Sequence, residues 1–145
     1  MDPFFAVSRL ADLSPLEPHK LYKLRVDVFV AEQQCPYAEI DDHDLTAAHF
    51  MAWGTDATLL GCARIFPEGE HVKLGRFVVA PSARGTGLAQ ELMFQALRYA
   101  EEQFPGKRVL IHAQEPLERY YEQYGFTRVG EAFDEDGVPH IPMLK

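Results

Sequence analysis

An apolar segment, Phe77-Val78-Val79, runs through Ala80-Pro81-Ser82-Ala83 into Arg84-Gly85-Thr86-Gly87, where the strongest helical pattern in the chain begins. From Gly87 to Phe104 the residues Leu88, Leu92, Ala96, Leu97 and Ala100 recur at three- and four-residue steps, the spacing of one apolar helix face. A strand feeding a helix through so short a loop commits the chain to a layered α/β arrangement. Glycine lets backbone approach a ligand closely and adopt positive φ. The N–H groups and positive dipole end of a helix start attract anions such as pyrophosphate, and Arg84 adds a cation there. The loop lacks the Gly-Lys-Ser/Thr of a Walker loop, and the third glycine of a dinucleotide fingerprint is absent.

The remaining elements fall around this unit. The pattern predicts a strand over 4–10, a helix from Leu16 to about Gln33, and a stop at Cys35-Pro36-Tyr37. Strands are expected over 47–53 and 58–66, joined across Gly54-Thr55-Asp56, and over 71–80, with Phe77 to Val79 its most buried part. Beyond the 87–104 helix come a strand at 108–113, a short helix at 116–124, a strand at 126–131, and a last strand at 138–143 broken by Pro139 and Pro142. The expected order is β-α-β-β-β-α-β-α-β-β, a mixed α/β domain spanning residues 1–145 around one sheet.

At 145 residues the chain suits one core, and no repeat or linker divides it. No stretch is long and apolar enough to cross a bilayer, and the start Met1-Asp2-Pro3-Phe4-Phe5 lacks the basic and apolar regions of a signal peptide, so a cytoplasmic location is expected. Cys35 and Cys62 form no disulfide framework and are expected to stay reduced. A formal net charge of −8 disfavours nucleic acid as a partner and suits a cationic small substrate. Asp41, Asp42, His43, Asp44 and His49 match no ligand spacing of a metal motif, so no metal is expected; the segment reads as a solvated acidic loop.

Arg84-x-x-Gly87-x-Ala89 resembles the pyrophosphate loop of the GNAT superfamily of N-acetyltransferases. Tyr121-Glu122-Gln123-Tyr124-Gly125-Phe126 resembles the Tyr-x-x-x-Gly-Phe that closes that family's core. A narrower likeness to the ElaA-like branch covers nearly the whole chain. It is carried by Leu24 to Val30, Glu32-Gln33, Cys35-Pro36-Tyr37, Glu39-Ile40-Asp41, His49, Gly75-Arg76, Ala113-Gln114 and Pro139-His140-Ile141.

The resemblance implies a single-domain GNAT fold, a mostly antiparallel mixed sheet with flanking helices and a splayed strand pair at the cofactor. It implies acetyl-CoA as cosubstrate, held at Arg84, Gly85, Thr86, Gly87, Leu88 and Ala89, with backbone at Phe77, Val78 and Val79 along the pantetheine arm. Gln114 stands where many members carry a cofactor-contacting asparagine, and the ElaA-like pattern also has Ala-Gln there. Tyr121 is expected near the thiol as general acid, since a phenol with an ordinary pKa of about 10 can protonate a leaving thiolate. The 71–80 strand holds no carboxylate where many members place their base, so the base comes from elsewhere, with His112, His140 and Glu32 as candidates, acts through a water chain, or is unnecessary for an acceptor of low pKa. Glu32, Glu39 and Asp41 are expected to border the acceptor pocket and attract a cationic amine. The implied activity is direct acetyl transfer to a primary amine, on a small molecule or peptide, by a monomer or homodimer. The alternative is a CoA-binding sensor or partner-binding module without chemistry.

Overall fold

The alternation of apolar residues along the middle strands buries both faces of one sheet. The computed structural model describes residues 3–35, 38–135 and 137–145; the helix stop expected at Pro36-Tyr37 lies outside them. Strands β1 (Phe4–Arg9), β2 (Ala48–Trp53), β3 (Leu59–Glu68) and β4 (His71–Val79) pair antiparallel in sequence order. Then β5 (Arg108–Gln114) lies parallel to β4, and β8 (Val138–Leu144) antiparallel to β5. The far edge is shared by β6 (Thr127–Arg128) and β7 (Phe133–Glu135), both against β8. The parallel step is bridged by helix α2 (Leu88–Gln103), as parallel pairing requires.

Period-two alternation sorts the strands' side chains between the two layers. Phe50, Ala63, Ile65, Val72, Leu74, Val109 and Ile111 face α2, where Leu92, Met93, Ala96 and Ala100 are buried. Met51, Trp53, Cys62 and Val78 face the other way, onto Leu21, Leu24, Val28 and Phe29 of the first helix. The sheet and α2 pack closely at Gly61, where a Cβ would lie 3.0 Å from Leu88 Cδ2 and 3.3 Å from Leu92 Cδ2.

Three local outcomes differ from the sequence expectation. The first helix, α1, is α-helical over Leu16–Arg25 and widens to π-helix over Val26–Glu32, with Gln33 N donating to Val28 O, five residues back. The last strand runs unbroken through Pro139 and Pro142; Pro142 accepts from Val129 N and covers Gly130. The segment expected as a strand over 126–131 pairs over two residues, and β7, a strand not anticipated, follows it. Of Phe77, Val78 and Val79, Val78 is buried and its neighbours are half-buried.

The sheet divides between β4 and β5. They pair at His71, Val72 and Lys73 against Arg108, Val109 and Leu110, after which β4 follows β3 and β5 follows β8. A bulge drives the divergence: Cys62 faces Val78 and Arg64 faces Gly75, so Arg76 and Phe77 together oppose Ala63. Arg76 takes φ 49°, the left-handed region.

The loop covering the divergence is tied down by buried charge. Arg25 donates to Glu39 Oε2 at 2.8 Å and Asp44 Oδ1 at 2.8 Å, while Arg64 holds Asp41 at 2.6 and 2.9 Å and Asp44 at 2.9 Å. Arg76 reaches Glu39 at 2.9 Å. Asp41 and Asp44 also form a reciprocal capping box at the N-terminus of the short helical turn Asp42–Leu45, Asp41 Oδ1 accepting from His43 N and Asp44 Oδ2 from Asp41 N. Breaking a buried pair strands its partner, so Arg25→Met should lower unfolding free energy by about 3–5 kcal/mol in urea titration. The half-exposed Arg84–Glu32 pair should contribute only about 0–1 kcal/mol by the same measurement in Arg84→Met.

The network also sets a pH response. Burial pushes Asp41 and Asp44 up, but hydrogen bonds and charge from Arg64 and Arg25 more than reverse it, leaving both carboxyls below the ordinary 3.8. A depressed folded value stabilises the fold above the unfolded value, and that contribution is lost as pH falls through the folded one. Glu39 has the opposite sign, raised by burial despite Arg76 and Arg25, and offsets part of the effect. Melting temperature should therefore fall as pH drops below about 3.8, and this acid sensitivity should shrink in Asp44→Asn.

Candidate active site

Where β4 and β5 part, a cavity of about 370 Å³ opens beneath the π-helical segment and the 38–44 loop. Lys73, Phe77, His112, Gln114, Tyr121 and His140 are among the residues lining it. Side-chain alternation explains the selection. Val109, Ile111 and Ala113 of β5 are buried toward α2, which turns His112 and Gln114 to the opposite face. The same logic places Lys73 between Val72 and Leu74, and His140 beside Ile141.

Phe77 and Tyr121 meet across the gap with ring centroids 6.4 Å apart, and Tyr121 also packs edge-on against Phe126. Tyr121 belongs to the short helix α3 (Glu118–Glu122), and the turn after it passes through Gly125 at φ 97°. Burial, with a smaller push from Tyr120, raises the Tyr121 phenol well above its ordinary value, so it keeps its proton throughout the neutral range. The expectation of an ordinary phenol pKa is corrected accordingly. Tyr120 and Tyr124 bond each other at 2.7 Å between hydroxyls.

The 84–89 loop lies at the other end of the gap. Gly85 and Gly87 have φ of 78° and 85°, and Gly87 begins α2 with no side chain capping the helix's first N–H groups. A Cβ on either glycine would meet nothing within 4 Å. The helix start is thus left without a side-chain acceptor beside an unobstructed loop, as an anion site requires. Arg84 donates to both carboxylate oxygens of Glu32 at 3.0 Å. Gln114 reaches Gln33 Oε1 at 2.9 Å, tying β5 to the end of the π segment.

The acidic loop is not the solvated rim that sequence led us to expect. Glu39 and Asp44 are buried, and Glu39, Asp41 and Asp44 are each paired with arginine; Glu32 is paired with Arg84 of the 84–89 loop. Of Glu32, Glu39 and Asp41, Asp41 lines the cavity, and Arg64 neutralises it. These arginines lie 14 to 52 residues from their partners, beyond any local reading of the 32–44 segment. His49 is buried against Asp44 O at 2.8 Å. No group of three potential ligands close enough to hold a metal ion occurs among the described residues. Burial pushes the Cys62 thiol up to about 12, so it offers no thiolate at neutral pH.

Sequence reasoning missed Glu135. It projects from β7 into the cavity wall, 3.0 Å from His112 Nδ1 and 3.5 Å from His140 Nε2. The signal available was Asp136-Gly137, a hairpin dipeptide just after Phe133-Asp134-Glu135.

Comparison with known proteins accords with this geometry. A model of the acetyltransferase (GNAT) domain matches residues 16–145. Protein ElaA of Escherichia coli is 39% identical over 140 residues, covering 93% of this chain and 91% of ElaA. The crystal structure of Escherichia coli ElaA superposes with a TM-score of 0.91 at 36% identity, over 99% of both chains. An acyl-CoA N-acyltransferase from Pseudomonas aeruginosa superposes with a TM-score of 0.92 at 40% identity, again over 99% of each chain. With the split sheet, the open glycine loop and these likenesses together, the chain belongs to the GNAT family of acetyltransferases, in its ElaA-like branch, and is an enzyme of acyl transfer from coenzyme A.

Proposed function

We propose that the enzyme moves an acetyl group from acetyl-CoA directly to a primary amine on a small molecule or peptide. The observation that carries this reading is the meeting of Phe77 and Tyr121 at the mouth of the β4–β5 gap, in line with the open helix start at Gly87. In this reading the pyrophosphate takes the N–H groups of the 84–89 loop, and Arg84 exchanges Glu32 for a phosphate oxygen. The pantetheine arm follows the backbone of Phe77, Val78 and Val79, whose β5 side is released by the bulge. Gln114 contacts the arm where it enters the cavity.

The reacting carbonyl then lies beside Tyr121. Attack by a neutral amine forms the tetrahedral centre, and cleavage of the C–S bond delivers a thiolate that Tyr121 protonates. Tyr121 is protonated at neutral pH and so has a proton to give, while burial makes its ionisation costlier, so the proton moves only as charge develops on the sulfur. Direct transfer is favoured over an acyl-cysteine, since Cys62 is buried with its thiol pushed up to about 12. The free Cys35 and Cys62 are in keeping with a reducing, cytoplasmic setting. No helix among the described residues is long and apolar enough to cross a membrane.

The charge around the cavity bears on the acceptor. Arg25, Arg64 and Arg76 offset Glu39, Asp41 and Asp44, so the wall has no standing excess of negative charge to select a cation. Acceptor selection by Glu32, Glu39 and Asp41 is therefore not part of this proposal. The acceptor is an amine chosen by fit rather than by acidic steering.

Two variants separate binding from chemistry. Tyr121→Phe should keep acetyl-CoA affinity by calorimetry while slowing thiol release with an accepting amine by roughly 10²–10⁴-fold. Wild-type turnover in that variant would show that the proton comes from elsewhere. Arg84→Met should weaken acetyl-CoA binding by roughly 10–100-fold, the loss of one charge-assisted hydrogen bond. Unchanged affinity would remove the loop from the proposed site. A bulky residue at Gly87 is a poorer probe, because φ of 85° strains any side chain there whatever it does to the ligand.

A further inference from the structure

An amine acceptor is an ammonium ion at neutral pH and must lose a proton before it can attack. The β4 strand carries no carboxylate to take it. The cavity face instead gathers Lys73 from β4, His112 from β5, Glu135 from β7 and His140 from β8. Glu135 joins the two histidines, with Oε1 3.0 Å from His112 Nδ1 and Oε2 3.5 Å from His140 Nε2. His140 Nδ1 lies 2.8 Å from the Val138 carbonyl, which can only accept, so that nitrogen carries a hydrogen. Phe133 stands edge-on to the His112 ring with centroids 4.9 Å apart, fixing its plane.

His112 Nδ1 has a second neighbour, Lys73 Nζ, also at 3.0 Å. An ammonium only donates and a carboxylate only accepts, so the one nitrogen satisfies one of them at a time. If Nδ1 donates to Glu135, Nε2 keeps a free lone pair. If Nδ1 accepts from Lys73, Nε2 carries the hydrogen, and the ring can take a proton only at Nδ1, by releasing Lys73. The Glu135 arrangement is the better anchored, since the carboxylate's other oxygen stands 3.5 Å from His140 Nε2, whereas Lys73 ends a flexible four-carbon stem.

Resting on the acetyl-transfer reading, we infer that His112 is the general base of the reaction and that Glu135 is its positioning residue, holding the tautomer with Nε2 free. His112 Nε2 takes the ammonium proton and passes it to solvent. The freed amine lone pair attacks the thioester carbon, and the C–S bond breaks. The proton that Tyr121 gives to sulfur is replaced by the one the acylated nitrogen sheds. Charge balances as one ammonium and one thioester give an amide, a thiol and a proton. The ionisable groups around His112 are Lys73 from β4, Glu135 from β7, His140 from β8 and Tyr121 from α3, with Arg64, Arg76, Asp41 and His43 farther along the cavity wall.

The first measurement needs no acceptor. Imidazole ¹⁵N NMR of the whole protein should show neutral His112 protonated at Nδ1, and the Nε2-protonated form should grow in Glu135→Gln. An Nε2-protonated His112 in the wild type would overturn the inference. The second uses acetyl-CoA with the best acceptor from ethanolamine, tyramine and spermidine. Glu135→Gln should lower kcat by roughly 10–100-fold with KM for acetyl-CoA unchanged. Glu135→Asp should restore part of the rate, and His112→Gln should lower kcat at least as far while binding acetyl-CoA as wild type does. Wild-type kcat in Glu135→Gln or in His112→Gln would also overturn it. Failure of the acetyl-transfer reading looks different: no acetyl-CoA binding in the wild type, whatever the tautomer.

Discussion

Three residue pairs are all that join the two halves of the sheet at β4 and β5, and everything functional follows from where that ladder stops. Past Lys73 and Leu110 the backbone groups that would have bonded across the gap become available to something else. The bulge at Arg76-Phe77 makes the divergence a built feature, because an extra residue on β4 rotates the strand away while β3 keeps its pairing. A continuous ladder there would bury the same backbone and leave no room for an acyl chain. The fold gives up sheet hydrogen bonds at its centre and recovers stability from the two apolar layers on its faces.

The buried ion pairs answer the difficulty this creates. A gap in a sheet invites collapse, and the loop above it must be held open in one shape. Three arginines from α1, β3 and β4 meet three carboxylates of one short loop, so each element beside the gap is fixed to the same cluster. Such clusters specify geometry more than they add stability, since desolvation consumes most of the Coulomb gain. Two atoms, Glu39 Oε1 and Arg64 Nε, remain without a partner among the described residues, a cost consistent with a cluster shaped by position.

What could be read from the sequence was local. The glycine loop, the helix after it and the Tyr121-to-Phe126 segment are contiguous, and their spacing carries their geometry. The Arg25–Asp44 and Arg64–Asp41 pairs join residues 19 and 23 apart, and a charged loop looks the same whether solvated or neutralised from afar. The strand holding Glu135 has three residues and a polar middle, too short for alternation to register. The prolines of β8 read as breaks, yet the strand takes Pro142 where its outer neighbour changes from β6 to β7, and Pro139 opposite Asp134 in the three-residue pairing with β7. The widened turn after Arg25 has no signature that apolar spacing reveals, because Leu21, Leu24 and Val28 fit either helix.

That widened turn has a consequence for how this chain can vary. A π-helical turn holds one more residue than an α-helical turn for the same advance. Deleting a single residue between Val26 and Glu32 would let the segment relax to α-helix while the residues beyond it kept their facing, Glu32 toward Arg84 and Gln33 toward Gln114. The same deletion within Leu16–Arg25 would instead turn everything downstream by about 100° about the axis. The segment is thus a place of slack: a length change that the α-helical part would pass on to whatever stands over the gap is absorbed here.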